Sequence, residues 1–438
     1  MNKVSRGLFG LVTVSAVFAL AASVSVDTAC LGEHEDDFLS EPVSEEAKTQ
    51  LDDGERDFGL ALIKHAFYSK NQTGVHKNIF MSPASVYQTL VLAYFGAKDQ
   101  TEKALSKTLG FGDLERSDVV KNYLFERAFQ AIRDQDPNLG YELTHANKFF
   151  FDNSLPLSQC LQLVLQDELE AVDFAGNSGK ALKQINQWVE DKTRSKIVDF
   201  LPPGAIDGST KVALANAAYF KGNWKSKFNA SETKSNNFYV RRDKISMTDF
   251  MEQKGKFNYY TSEELRAHVL ELPYVGDEVS MVIVLPPFEE DSLFETVSRL
   301  TPKTLKGVMA EVKSGFYEVD DLTVRIPKFR IEQTFELTDA LADLGLKALF
   351  DPTKADLSRF LAEGANEHVA LQSAIHKSFI EVNEEGSEAA AASALFGFRS
   401  ARPLFHTEFV ADHPFVFLIY DKPSDTILFF GMYQDPKN

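Results

Sequence analysis

Residues 214–224 read Leu214-Ala215-Asn216-Ala217-Ala218-Tyr219-Phe220-Lys221-Gly222-Asn223-Trp224. Val212 to Phe220 has the composition of a strand, and a Gly-Asn pair follows it. Similar strand-like runs recur at Tyr141 to Phe151, Val269 to Leu272, Val279 to Leu285, Leu322 to Ile326, Ser378 to Val382, Phe415 to Tyr420 and Thr426 to Phe430. Helical spacing falls between them. From Arg56, the residues Phe58, Leu62, Ile63, Ala66 and Phe67 share one face. Ser82-Pro83 supplies a cap and a first-turn proline for a helix over Ala84 to Gly96. Further helices are predicted over Leu182 to Arg194 and Leu337 to Leu344. The strands outnumber what one parallel sheet with crossover helices would use, and they do not alternate regularly with helices. The chain therefore reads as α+β with mostly antiparallel sheets.

The 438 residues are 44% hydrophobic and 25% charged, a globular profile able to bury a core. The net charge of −18 repels nucleic acid and anionic membranes, so neither is expected as a partner. Lys3 and Arg6 precede an apolar run from Leu8 to Val26 that includes Ala19, Ala21 and Ala22, the pattern of a secretory signal over 1–22. A membrane anchor is the competing reading, but Gly, Ser and Thr dilute the run. Residues 23–52 form an acidic N-terminal extension, and 53–438 a single domain. Two sequons, at Asn71 and Asn229, agree with secretion. With only Cys30 and Cys160 there is no disulfide framework, and free or differently paired thiols are expected before a bridge between the two.

No Gly-x-Ser-x-Gly elbow, His-Glu-x-x-His pair, P-loop or calcium loop is present, and the histidines stand singly. The reading is therefore no enzyme, no metal and no cofactor. One segment stands apart. Glu384-Glu385-Gly386-Ser387-Glu388-Ala389-Ala390-Ala391-Ala392-Ser393-Ala394 is small and flexible, and runs into Leu395-Phe396-Gly397-Phe398-Arg399-Ser400-Ala401-Arg402-Pro403. Propensity alone would make the Ala-rich part a helix.

Ordered segments along nearly the whole chain after the extension resemble the serpin family. They include Asn78-Ile79-Phe80-Met81-Ser82-Pro83-Ala84-Ser85, Asn186-Gln187-Trp188-Val189, Leu214 to Trp224, Glu271-Leu272-Pro273-Tyr274, Ala355-Asp356-Leu357-Ser358, Asp412-His413-Pro414-Phe415 and Leu428-Phe429-Phe430-Gly431. The resemblance implies about nine helices, three mostly antiparallel β-sheets and an exposed reactive-centre loop over about 384–403. It further implies a monomeric inhibitor whose loop a serine protease attacks. The cut loop then inserts as a new strand and traps the acyl-enzyme.

Strand alternation tests that mechanism. An inserting loop sends Ser387, Ala389, Ala391 and Ser393 to one face, and Glu388, Ala390, Ala392 and Ala394 to the other. If the first set is buried, only small residues enter and Glu388 stays in solvent. The opposite parity would bury an unpaired carboxylate. The resemblance also implies a shutter of Ser82, Ser85, Asn216 and His376, and a breach at Gly222, Trp224 and a Lys328–Glu384 pair. Family spacing from Glu384 places the cut between Ser400 and Ala401, suiting an elastase-like protease. Arg399 suits a trypsin-like one, which is favoured as the partner class. The loop and extension are similar to those of extracellular arthropod serpins, which restrain cascades leading to Toll signalling and melanisation in haemolymph. A salivary anticoagulant and a non-inhibitory carrier or chaperone are alternatives. Across 117–133 only Lys121, Arg127 and Arg133 face Asp118 and Glu126, too sparse for a heparin site.

Overall fold

The computed structural model describes residues 43–71, 77–136, 139–165, 167–365, 367, 369–386 and 407–437. The chain runs α1 (Glu45–Asn71), β1 (Ile79–Met81), α2 (Pro83–Gly96), α3 (Asp99–Thr108), α4 (Arg116–Arg133), β2 (Tyr141–Asp152), α5 (Gln159–Val164), β3 (Leu169–Val172), α6 (Phe174–Lys192) and β4 (Val212–Gly222). It continues through β5 (Lys234–Arg241), β6 (Lys244–Ser262), β7 (Ala267–Pro273), β8 (Val279–Leu285), α7 (Ser292–Arg299), α8 (Pro302–Ser314), β9 (Glu318–Pro327), β10 (Phe329–Glu336) and α9 (Thr338–Leu341). Last come β11 (Ala374–Val382), β12 (Glu408–Val410), β13 (Phe415–Asp421) and β14 (Thr426–Tyr433). Nine α-helices thus stand among the described residues, and the α+β expectation holds. None of these helices is long and apolar enough to cross a membrane.

Two hydrogen-bonded ladders carry the strands. A five-stranded sheet has the order β10-β11-β4-β2-β3, and a nine-stranded one runs β1-β14-β13-β8-β7-β6-β9-β12, with β5 on the side of β6. The larger ladder has two parts that meet in one strand. Over its 19 residues β6 pairs first with β5 and β9, and then, past an irregularity between Gly255 and Phe257, its last residues pair with β7. A strand that changes partners midway fuses what would otherwise be separate sheets.

Between the ladders lies α2. Ser82 caps it, with Oγ accepting the Ser85 amide at 3.1 Å, and Pro83 occupies the first turn as its sequence predicts. Every residue of α2 except Gln88 is buried, which is what a helix apolar on all sides requires. Beside it, Phe80 stacks on Phe429 with ring centroids 5.0 Å apart and on Phe417 at 5.9 Å. On the other face of the five-stranded sheet, α6 lays Ile185 and Val189 over Phe150, Ala217 and Tyr219.

Two local readings need correction. The helix expected over Leu337 to Leu344 ends as α9 at Leu341, and Ala342–Leu346 widens into a π turn. There the Thr108 hydroxyl takes over the Leu344 carbonyl at 3.1 Å. Cys160, at the start of α5, stands in a disulfide and not as a free thiol, while Cys30 lies outside the described residues.

Phe80 is fully buried. Truncating it by Phe80→Ala should destabilise the fold by about 3–5 kcal/mol through lost transfer energy and the cavity left behind. A thermal midpoint equal to that of the parent protein would refute this packing.

Candidate functional site

The five-stranded sheet has a weak seam. β11 and β4 run parallel, in register from Ala374 opposite Leu214 to Ile380 opposite Phe220. Parallel ladders are slightly less stable per residue than antiparallel ones. On the β4 side, Ala215, Ala217 and Ala218 offer little side chain to clasp the neighbour. Polar contacts hold the seam at two heights, and the expected shutter and breach residues are the ones that make them.

At the lower position His376 of β11 stands opposite Asn216 of β4. The Ser82 amide donates to His376 Nε2 at 3.0 Å, so the ring's proton resides on Nδ1, which donates to Asn216 Oδ1. That in turn orients the Asn216 amide. Its Nδ2 reaches Ser85 O and Oγ at 3.0 Å each, Thr89 Oγ1 at 2.6 Å and Asn147 Oδ1 at 2.8 Å. Ser82 Oγ donates to the Leu428 carbonyl at 2.6 Å. All four expected shutter residues therefore meet. Asn147, Thr89 and Ser378, whose Oγ donates to the Phe80 carbonyl at 2.6 Å, join them unforeseen. These small polar residues sit within apolar strands and a buried helix, and that misfit is the signal that would have found them.

His376 is fully buried, and burial together with nearby His145 pushes its pKa down to about 3. Geometry gives the same sign. A second ring proton would point from Nε2 at the Ser82 N–H, donor against donor. His145 on β2 is likewise depressed, to about 4, by burial. Its Nδ1 meets Gln88 Oε1 at 3.1 Å, while Nε2 is buried without a partner.

At the upper position, Trp224 Nε1 donates to the Asn383 carbonyl at 2.9 Å, and its amide donates to Glu385 O at 3.1 Å. The Trp224 ring lies on Tyr274, centroids 4.5 Å apart and 9° from coplanar. Gly222 admits that tyrosine, since a Cβ there would sit 2.5 Å from Tyr274 Cδ1. Glu384 is gripped from several sides. Lys328 Nζ lies 2.9 Å from its carboxylate, Thr233 Oγ1 donates to Oε1 at 2.8 Å, and the Phe228 amide donates to its carbonyl at 3.0 Å. Burial raises the Glu384 pKa, but the Lys328 and Thr233 hydrogen bonds outweigh it and hold the carboxyl below its ordinary value. Gly386 closes the site with φ +95°, where a Cβ would meet Gly222 O at 2.2 Å, so only glycine fits. Asn383, Phe228, Thr233 and Tyr274 are not foreseen, because a main-chain acceptor, a main-chain donor, a lone hydroxyl and a stacking ring leave no pattern in sequence.

Ser387 to Ser393 of the expected hinge, and Arg399, Ser400 and Ala401 at the expected cut, lie outside the described residues. Of the sequons, Asn71 ends α1, and Asn229 is the exposed N-cap of a single turn, Ala230–Glu232. On α4, Arg127 is paired with Asp167 and Glu168, and Arg133 with Asp421 and Glu278. Among the described residues no group of His, Cys, Asp or Glu is arranged to hold a metal ion.

The family model described as Serpin (serine protease inhibitor) matches residues 53–436. Serine protease inhibitor 88Ea of Drosophila melanogaster is 35% identical over 400 residues, covering 88% of this chain and 90% of the relative. Leukocyte elastase inhibitor of Homo sapiens is 38% identical over 397 residues, covering 88% and 100%. Among solved structures, Serpin48 of the insect Tenebrio molitor superposes with a TM-score of 0.71 at 29% identity, covering 88% of this chain and 98% of that one.

The seam should be sensitive to acid. His376 is neutral in the folded state down to about pH 3, whereas an unfolded histidine takes up its proton near pH 6.5. Its contribution is complete above pH 6.5 and is lost progressively as pH falls below it, by ~2 kcal/mol at pH 5. His376→Gln should flatten the fall of the urea midpoint between pH 7.5 and 5, with His145 supplying the remaining slope. An unaltered slope would show that His376 does not titrate in this way.

Proposed function

The chain belongs to the serpin family, described as serine protease inhibitors and not as enzymes, and from that premise we propose that it is a secreted, monomeric suicide inhibitor. The protease's serine cuts the reactive loop and becomes acylated. The freed loop then enters the sheet between β4 and β11 and carries the protease away before deacylation. One observation carries the reading: the seam at which a sixth strand would enter is parallel and poorly clasped on the β4 side, and beyond its upper end the chain turns at Gly386, where the small-residue hinge begins. Entry separates His376 from Asn216 and replaces their contact with the strand's own ladder.

The favoured target is a trypsin-like protease that takes Arg399 into its acidic primary pocket, with Phe398 and Phe396 adding apolar contact upstream. Family spacing supports Ser400 instead, and the name of the human relative, an elastase inhibitor, supports that second reading. The resemblance of the loop and extension to extracellular arthropod serpins suggests a role in restraining an extracellular protease cascade of innate immunity, ahead of Toll activation and melanisation, and an insect relative is named a serine protease inhibitor. The pairing of Arg127 and Arg133 argues against glycosaminoglycan activation.

Incubation with trypsin should yield a complex that survives denaturing electrophoresis and release a peptide beginning at Ser400. With elastase as the cognate class, the peptide begins at Ala401. Loop cleavage should raise the melting temperature, and an unchanged melt would sink the insertion mechanism. Ser387→Arg places a long cation on the inserting face, so this variant should be cut without trapping. Full trapping by it would refute the register.

A further inference from the structure

The Asn229 sequon lies beside the breach, and the segment that contains it does part of the breach's work. Within 227–233, Lys227 pairs with the Glu385 carboxylate, the Phe228 amide holds the Glu384 carbonyl at 3.0 Å, and Thr233 Oγ1 holds the Glu384 carboxylate at 2.8 Å. Asn229 stands between these grips as the cap of the turn Ala230–Glu232. Asn229, Ala230, Ser231 and Glu232 are all exposed. The Asn229 side-chain carbonyl accepts both the Ser231 amide at 3.0 Å and the Ser231 hydroxyl at 2.9 Å. Its Nδ2 is bonded to no described residue, so the nitrogen that a sugar would join is accessible while the carbonyl and the hydroxyl of the sequon are already in contact.

We propose that Asn229 carries an N-linked glycan, and that this glycan steadies the turn that grips Glu384 and so slows entry of the reactive loop into the sheet. The modification follows from the secretory reading given above. In the attachment step, Asn229 Nδ2 bonds to the anomeric carbon of an oligosaccharide carried on a lipid pyrophosphate. The bond from that carbon to the pyrophosphate oxygen breaks, the lipid pyrophosphate departs, and one Nδ2 proton is lost. A branched sugar on the solvent side of a one-turn element restricts the conformations by which the turn could peel away. Phe228 and Thr233, at either side of it, then keep their hold on Glu384 for longer. The glycan leaves the seam itself untouched, because Asn216 and His376 lie at its other height.

The experiment uses the full chain expressed in secreting insect cells. Peptide mapping after enzymatic deglycosylation in heavy-oxygen water reads occupancy as labelled Asp at positions 71 and 229. Spontaneous conversion to the inserted, non-inhibitory form is followed at fixed temperature for the parent chain, Ser231→Ala, which destroys the sequon, and Ser231→Thr, which preserves it. Label at 229, with Ser231→Ala converting about fivefold faster than the parent chain and Ser231→Thr converting at the parent rate, is the expected result. The same three chains made without glycosylation in bacterial cytosol should all convert at one fast rate, which separates the sugar from the substitution. Secretion with label at 71 and none at 229 overturns this inference while leaving the secretory reading intact. Failure of secretion with label at neither position overturns both. Label at 229 with equal conversion rates for all three secreted chains overturns the claim that the glycan restrains the breach.

Discussion

On the inhibitory reading proposed above, the structure depends on a sheet that must hold together and yet part at one line. That line is the parallel junction of β4 with β11. Apolar packing gives the body of the protein its strength through the separate cores around α2 and around Phe80, but across the junction the alanines of β4 contribute little. Hydrogen bonds at two heights hold it instead. A polar clasp suits such a place because its net worth is small compared with the loss of a packed side chain. In the proposed mechanism the backbone bonds given up on parting would be replaced by those of an entering strand, leaving no orphaned groups.

Both clasps depend on charge states fixed by their surroundings. At the lower one, His376 must be neutral to accept from the Ser82 amide, and burial keeps it so. At the upper one, Glu384 must be ionised to hold Lys328 and Thr233, and those partners keep it so. Acid works against the two clasps together, by adding a proton that neither site accommodates. His376 stands near the start of β11 and Glu384 two residues past its end, so a protonation-dependent contact lies toward each end of the strand.

Much of this was legible in the sequence. The strands β4, β8, β13 and β14 and the cap of α2 follow from composition and from Ser82-Pro83. The shutter and breach came from resemblance, through residues such as Asn216 and Trp224, and the geometry brings each group of them together. What stayed hidden was of two kinds. Strand β6 is largely polar and half-exposed, so alternation is faint along it. The roles of Asn383 and Phe228 rest on main-chain atoms that every residue possesses. The Gly386 conformation is intermediate: the residue suggested a hinge, but its left-handed turn against Gly222 could not be read from type alone.

The length of β6 has a mechanical meaning. The segment proposed as the reactive loop leads in sequence to β12, which pairs parallel with β9 through Glu408, Phe409 and Val410. β9 is bonded along most of its length to β6, and β6 continues into the ladder that contains β7, β8 and the buried β13. Tension applied at the carboxyl end of the segment therefore runs along the strands and loads their hydrogen bonds in shear, all at once. Asn383 to Gly386, at the amino end, rest on separate contacts that can yield in turn. The two ends of one segment are thus anchored with unlike stiffness, so that a load on both peels the amino end while the carboxyl end stands.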